Sequence, residues 1–433
     1  RVWIWLHELE HDVPSAFLND GVVDFDNPAL WTWLDEKYER LFNDFPAFDG
    51  IQLTFSQTPY PLFDNLKVRS PLSVADRFAR LINALATVCD RHEKDLVVRS
   101  FLGEPEQLEW FRQAIGQAPP DVMVQSKCVP FDWQPFFPHN PLLGAFPERR
   151  QVVEFDCSSE YTGKNRIPYT SPEYFQRRWR YAEKQPGVIG YNARLDHGGY
   201  DALFTPNEIN LYSLKRLTAD PDVTADDIWS AWAVDRYAGA VVDVVAALKP
   251  TFEAVNLAFF PVGFWVSDHS TLPSPAYAEE SIPLRSTAKW RPDEPEWVEL
   301  EEMLTAPDTT FIERLLAEKD RSISLSDESL DHLAQARLKL PSDDYEDLRT
   351  RLERLRRAAV VWRLHTEGLF VLRALKAGSE VAGAEERVRR AIEGLRIQAE
   401  FSREAAESEP PLPMERLEAA ARELERLLEE AKK

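Results

Sequence analysis

Short apolar runs alternate with amphipathic patterns from the first residue to about residue 250. Each run is rich in β-branched or aromatic side chains and is bounded by glycine, proline or polar residues, which is typical of a buried strand. Six runs meet this description and are predicted as strands, at residues 2–7, 50–55, 96–101, 121–127, 151–157 and 187–193.

The stretches between these strands have helical periodicity. After Ser73, a residue type that suits a helix N-cap, apolar side chains recur at three- and four-residue spacing up to Val88. Other helices are predicted at residues 29–44, 105–117 and 172–184. Strands that alternate with helices predict a parallel sheet, and therefore an α/β protein.

Two parallel architectures fit these strands. A closed (β/α)8 barrel has eight strands, so it would require two further strands before Arg1. An open, doubly wound sheet is the alternative, although no GxGxxG or GxxxxGK(S/T) motif follows any strand to indicate a nucleotide site. Because the chain begins within a predicted strand, we expect an upstream segment of the same protein.

The character of the chain changes from about residue 285 to charged sequence rich in leucine and alanine. Apolar residues there recur with helical spacing and form two stripes, which predict amphipathic helices that pack on the barrel or on a second subunit. The stripes are Leu348, Leu352, Leu355, Ala359 and Trp362, and Met414, Leu417, Ala421, Leu424 and Leu428.

Composition excludes several classes of partner. A net charge of -22 disfavours nucleic acid. No apolar stretch approaches the roughly 18 residues that span a bilayer, so no membrane partner is expected. Cys89, Cys128 and Cys157 have no zinc-binding spacing. No metal or other cofactor is therefore predicted.

Two cations end predicted strands, where catalysis is expected in a parallel barrel. Arg99 ends the third strand and Lys127 ends the fourth. A buried arginine needs a carboxylate or a ligand, and its planar guanidinium matches a carboxylate with two hydrogen bonds. An internal salt bridge explains Arg99 equally well. Together the two cations would suit the carboxylate of a uronic acid.

Two carboxylates lie on the loops after neighbouring strands. Asp132 follows Lys127 in an aromatic loop, and Glu160 follows the strand at 151–157. Carboxylates so placed suit a base that activates water in an inverting glycosidase, in which acid and base lie about 6.5–9.5 Å apart. The plain alternative for each is a solvated loop acid.

Three other residues are candidates for contact with a sugar. Trp133 could stack on a pyranose or simply cover the top of the barrel. Thr58 follows the second strand, and His197 lies on a glycine-rich loop after the last strand. A lone loop histidine more often faces solvent than binds a ligand.

Two spaced signatures resemble glycoside hydrolase family 67, the α-glucuronidases that remove (4-O-methyl)glucuronic acid from xylo-oligosaccharides with inversion. The first comprises Lys127, Pro130 and Asp132 followed by residues 141–146, and the second is residues 153–163, which contain Glu160. Arg99 is similar to that family's strand-end arginine.

The resemblance implies that residues 1–250 are strands 3–8 of a TIM barrel and that residues 251–433 form an α-helical C-terminal domain, which often dimerises. It also implies that Asp132 and Glu160 share the general-base task, while Arg99 and Lys127 bind the uronate. The upstream segment would then hold an accessory β domain and the first two strands.

The general-acid position departs from the family. The family's acid is a glutamate after the second predicted strand, where this chain has Gln57, and its lysine there is replaced by Thr54. An amide cannot protonate a leaving group. We therefore expect an enzyme inactivated at Gln57, by nature or by design, or one whose acid lies elsewhere, with Glu8 as the first candidate.

The leading prediction is an inverting α-glucuronidase that takes part in xylan degradation. Two alternatives remain open: a hydrolase of the same fold that acts on a neutral sugar, in which Arg99 and Lys127 pair with protein acids, and a non-catalytic glycan-binding protein. A cytoplasmic location is expected, and a secreted or periplasmic one would also fit a chain with an upstream segment.

Overall fold

The structure is a computed structural model that describes residues 1–267 and 269–432. Its main feature is a six-stranded sheet whose strands neighbour one another in chain order. The first five strands pair in parallel. The strands are β1 (Trp3–His7), β2 (Gly50–Thr54), β3 (Asp95–Arg99), β4 (Met123–Lys127), β5 (Gln151–Asp156) and β6 (Val188–Arg194).

The strand order bears on the choice between the two predicted architectures. A doubly wound sheet reverses its strand order at a switch point, whereas this order runs in one direction from β1 to β6. The described strands therefore show no switch point, while closure of the sheet into a barrel stays a prediction. All six strands were predicted within one or two residues of their bounds, and the parallel α/β class is confirmed.

Contacts divide the chain into two compact units. Unit 1 consists of Arg1–Asp132, Pro138–Phe155 and Arg178–Asn192, and unit 2 consists of Trp133–Phe137, Asp156–Arg177 and the residues from Ala193 onward. The predicted domain boundary after residue 250 divides the chain in another way and stays a prediction.

The helices of unit 1 begin where the sequence provides caps. They are α1 (Pro28–Asp44), α2 (Val74–Arg91) and α3 (Pro105–Gly116). The Ser73 hydroxyl accepts a hydrogen bond from the backbone N–H of Asp76 at 3.1 Å, which satisfies a donor that the helix leaves free. The predicted N-cap is thus confirmed. The next helix, α4 (Pro172–Ala182), has residues in both units.

Unit 2 is mainly helical. Both predicted apolar stripes face its core, because their members are buried, with Met414 only half-buried. Trp362 stacks on Phe259 with ring centroids 4.2 Å apart. The helices are α5 (Glu208–Ala219), α6 (Ala225–Tyr237), α7 (Val241–Leu248), α8 (Thr251–Phe259), α9 (Pro275–Leu284), α10 (Pro295–Thr305), α11 (Thr309–Gln335), α12 (Ser342–Lys376), α13 (Ala384–Glu404) and α14 (Met414–Ala431).

Short strands and three 3-10 helices, at Ser15–Phe17, Pro261–Gly263 and Ala288–Trp290, are also present in the described part of the chain. Unit 1 has a small sheet of Leu18–Asn19, Val22–Asp24 and Val68–Arg69, and unit 2 has a hairpin of Asp196–His197 and Tyr200–Asp201. Within the described part of the chain, every helix is too short or too polar to cross a membrane.

The start of β2 provides a test of the sheet register. Gly50 pairs with Asp95, and a Cβ at position 50 would lie 2.1 Å from the carbonyl oxygen of Asp95. We expect Gly50→Ala to lower the free energy of unfolding by about 2 kcal/mol or more, because backbone cannot yield as a flexible side chain can. Urea denaturation measures the change.

Gly116→Ala is the matched control. A Cβ there meets nothing within 4 Å, and the residue ends α3. Alanine should stabilise the protein by roughly 0.5 kcal/mol because it lowers the entropy of the unfolded chain. Equal effects of the two substitutions would contradict the register.

Candidate active site

The end of β3 carries a buried ion pair. Arg99 is 2% exposed, and its Nε and Nη2 atoms donate to the two carboxylate oxygens of Glu154 at 2.5 and 2.7 Å. The side-chain amide of Gln125 also donates to Glu154, at 2.9 Å. Such a two-pronged geometry is the strongest that arginine makes with a carboxylate. Arg99 therefore has the internal salt bridge that the sequence left open.

The electrostatics of Glu154 follow from its neighbours. Burial alone would raise the pKa of this carboxyl group, but the Arg99 guanidinium, its hydrogen bonds and the Lys127 ammonium together lower it below the usual value. Glu154 is thus a permanent anion at neutral pH. It offsets the cost of burying Arg99.

Lys127 ends β4 and makes the second buried pair. Its ammonium group donates to a carboxylate oxygen of Asp132 at 2.9 Å, and the two side chains are 2% and 7% exposed. The ring of Phe101 lies 4.0 Å from the same ammonium. Burial lowers the pKa of Lys127, and the positive charge of Arg99 lowers it further. The negative charge of Asp132 opposes both effects. The pair holds Asp132 in one orientation.

The two candidate positions for the general acid, residues 57 and 8 of unit 1, have opposite environments. Gln57 is exposed on the loop after β2, with a left-handed φ of 58°. Glu8 is fully buried, and one of its oxygens accepts hydrogen bonds from Lys37 and Tyr38 of α1. Burial raises the pKa of Glu8, although Lys37 opposes the rise. Thr58, next to Gln57, is half-buried and accepts from the backbone N–H of Tyr60 at 3.4 Å.

A turn that begins at Asp156, the last residue of β5, positions Glu160 of unit 2. The Asp156 carboxylate accepts hydrogen bonds from the backbone N–H groups of Ser158 and Glu160, at 2.7 and 3.0 Å. Glu160 itself is 6% exposed, and its Oε2 accepts from an Arg194 guanidinium nitrogen at 2.6 Å. Glu160 is therefore a largely buried carboxylate whose orientation a cation fixes.

Two histidines lie beside the other oxygen of Glu160. The Nε2 atoms of His197 and His269 are 3.5 and 3.8 Å from Oε1. Burial lowers the pKa of His197, while the negative charge of Glu160 opposes that effect. The Ser270 hydroxyl donates to the main-chain oxygen of Glu160 at 2.9 Å, which holds the neighbouring His269 close. The structure thus places the predicted His197 against Glu160.

Trp133 belongs to an aromatic cluster of unit 2. It is 7% exposed and packs with Tyr161 and Trp265, whose rings meet edge to face at 4.1 Å. In this arrangement most of the indole is part of the core. Its role as a platform for a sugar ring stays a prediction.

Sequence analysis missed three residues of these clusters. Glu154 could have been noticed as a charged side chain inside a buried strand, where a partner is needed. Arg194 could have been noticed as a charged residue at the end of β6, but no local pattern indicated Glu160 as its partner. No sequence signal pointed to His269, which lies 109 positions after Glu160.

Sequence comparisons show which family of proteins this chain resembles. Residues 8–182 match the middle domain of glycosyl hydrolase family 67. An alpha-glucuronidase of Hypocrea jecorina is 22% identical over 261 residues, which cover 52% of this chain and 30% of that protein. A probable alpha-glucuronidase A of Aspergillus flavus is 21% identical over 198 residues, which cover 42% and 21%. The matches thus span less than a third of either relative.

One solved structure shares the fold of this chain. A GH138 enzyme that targets pectin rhamnogalacturonan II superposes with a TM-score of 0.54 at 11% identity, over 94% of this chain and 66% of that one. The predicted resemblance is confirmed: through residues 8–182 the chain is related to glycosyl hydrolase family 67. That segment contains every predicted site residue except His197.

Asp156 should make stability depend on pH. Burial, and then the charge of Glu160, raise its pKa from 3.8 to about 6. The folded protein therefore holds this proton more tightly than the unfolded chain does, and the stabilisation, up to about 3 kcal/mol, is lost as pH rises through about 6. We expect wild type to lose stability relative to Asp156→Asn between about pH 4 and pH 7, measured by urea denaturation.

The exposed Asp222 of the same unit provides the control. The difference between wild type and Asp222→Asn should stay constant over this pH range. A wild type that gains stability with pH relative to Asp156→Asn would show that the carboxyl group is not destabilised by burial.

Proposed function

We propose that the protein is a glycoside hydrolase that removes an α-linked glucuronic acid from a xylo-oligosaccharide or a related glycan by inversion. The observation that carries this proposal is the burial of Asp132 and Glu160 together with their pairing with cations. Both carboxylates are nearly buried, and each is held by its own cation, Lys127 or Arg194. The match of residues 8–182 to family 67 supports the assignment.

A general base has to be ionised and correctly oriented before the reaction begins. A neighbouring cation favours the ionised form of a carboxylate and limits its rotation. Asp132 and Glu160 each have such a cation, Lys127 or Arg194, which supports the shared general-base task that the family resemblance implies. Arg194 and His197 would keep Glu160 in place as the proton of the attacking water is taken up.

The acid position is best assigned to residue 57. The loop after β2 exposes Gln57, so a carboxylic acid there could reach a substrate, whereas Glu8 is fully buried and bound to α1. With an amide at position 57, the leaving group has no proton donor at that place. We therefore propose that the sequence as it stands is deficient at the acid step.

A second candidate function is favoured by a specific observation. Arg99 and Lys127 are already paired with Glu154 and Asp132, so the four formal charges cancel. A uronate would add a carboxylate to a neutral cluster, whereas a neutral sugar would leave the balance unchanged. A hydrolase of the same fold that acts on a neutral sugar therefore stands as the alternative.

The sheet would be part of a closed barrel under this proposal. Its one-directional strand order is that of a barrel, in which strands follow one another around the axis. Upstream residues of the same protein would supply the first two of eight strands. A homodimer through the C-terminal helices and a cytoplasmic location stay predictions.

Leaving-group dependence tests the acid assignment. A 4-nitrophenolate departs without a proton, but a sugar hydroxyl does not. We expect Gln57→Glu to speed uronic acid release from glucuronic-acid-substituted xylo-oligosaccharides by at least about 100-fold, and to change hydrolysis of 4-nitrophenyl α-glucuronide far less. Initial rates with both substrates are the measurement, made on the protein with any residues that precede Arg1.

Gln57→Met is the matched control, since it has similar size and no acid, and its rates should stay at the wild-type level. Adding Asp132→Asn to Gln57→Glu should abolish turnover of both substrates, because the base is needed whichever group leaves. An equal gain on both substrates would refute the acid role. Inactivity on both would favour a non-catalytic glycan-binding protein or another sugar.

Protection against heat separates the uronate from the neutral sugar. We expect sodium glucuronate to raise the Tm and equimolar glucose to leave it unchanged, with about 1.4 kcal/mol of stabilisation at ten times the Kd. Differential scanning fluorimetry measures the shift, and sodium chloride at equal ionic strength is the control. Equal protection by the two sugars would move the proposal to the neutral-sugar hydrolase.

A further inference from the structure

A groove of about 630 Å³ lies between α9, α12 and α14 of unit 2. It shares no residue with the clusters around Asp132 and Glu160. Its apolar lining comes mainly from four leucines, Leu369, Leu372 and Leu375 of α12 and Leu427 of α14. The groove is therefore a separate place at which a ligand with an apolar body could be covered.

Charged side chains at the groove are mostly paired with one another. Lys376 lies 3.1 Å from a carboxylate oxygen of Glu279, and Arg426 lies 2.6 Å from one of Glu430. These cations need no further partner. Their carboxylates also make the rim partly acidic, which disfavours a ligand with several negative charges.

Arg373 differs from these two cations. It is 8% exposed, and among the residues that the structure describes its guanidinium has neither a hydrogen bond nor an ion pair. Its Nη1 atom is completely buried, and the ring of Phe370 lies 5.8 Å from the guanidinium carbon. A buried guanidinium without hydrogen bonds is unfavourable, and an anion placed against it would relieve that cost.

We propose that this groove binds a small monocarboxylate with an apolar body, whose carboxylate pairs with Arg373 and whose apolar part lies along the four leucines. Because Nη1 is completely buried, a carboxylate in the groove would pair with the edge of the guanidinium formed by Nε and Nη2, which can donate two hydrogen bonds to it. The leucines remove the apolar part of the ligand from water. The paired, partly acidic rim selects for a single negative charge.

Octanoate is a suitable probe, and octan-1-ol is its neutral counterpart. Near neutral pH, isothermal titration calorimetry of the whole protein should detect octanoate binding and at least about tenfold weaker binding of octan-1-ol. Arg373→Met should lower the octanoate affinity by at least about tenfold, which equals about 1.4 kcal/mol. The affinity for octan-1-ol should change little, because the leucines remain.

Arg422→Met is the matched control. Arg422 is an exposed residue of the same helix as Leu427, it lies outside the groove, and it is 3.5 Å from Glu418. This variant should bind octanoate as wild type does. If Arg373→Met fails to fold, the comparison of octanoate with octan-1-ol on the wild-type protein decides alone.

Three outcomes would overturn the proposal. They are equal affinity for octanoate and octan-1-ol, unchanged octanoate affinity in Arg373→Met, and no detectable octanoate binding. Sedimentation equilibrium identifies the competing occupant. A wild-type dimer that Leu427→Glu converts to a monomer, without octanoate binding by either, would assign the groove to a second copy of the chain.

Discussion

The bidentate pair between Arg99 and Glu154 links β3 to β5 across the intervening strand β4. Gln125 of β4 stands opposite Arg99 in the register and donates to the same carboxylate, so three consecutive strands share one polar layer. Lys127 lies two residues after Gln125, on the same face of β4. Because each charge in this layer is buried, none can be removed without leaving another uncompensated.

Under the proposed function, this constraint determines which groups the end of the sheet presents to a sugar. The positive charge of Arg99 and the negative charge of Glu154 act on Lys127 in opposite directions, and the Lys127 ammonium donates a hydrogen bond to Asp132. A carboxylate fixed in this manner costs no reorganisation during a reaction. The same pairing leaves no cation of the layer in excess, so Arg99 and Lys127 do not by themselves distinguish a uronate from a neutral sugar as the proposed ligand.

Unit 2 fixes Glu160 by a different means. The turn from Asp156 sets its backbone, Arg194 holds one oxygen, and two histidines approach the other. His269 comes from the segment after α8, far along the chain from the predicted signatures. The match to the family 67 middle domain ends at residue 182, so it includes Glu160 but not Arg194, His197 or His269.

The sequence by itself determined the six strands of the sheet, the four helices between them, the parallel class and the positions of the candidate carboxylates. These features are local: strand runs, helical spacing, the Ser73 cap and two short signatures depend on residues within a few positions of one another. Tertiary structure alone decided that Arg99 meets Glu154, that Glu8 is buried against α1 and that His269 lies beside Glu160. Those contacts join residues that are distant in the chain, and only strand register and packing bring them together. Sequence periodicity indicates the face on which a side chain lies, but it does not indicate which residue that side chain contacts.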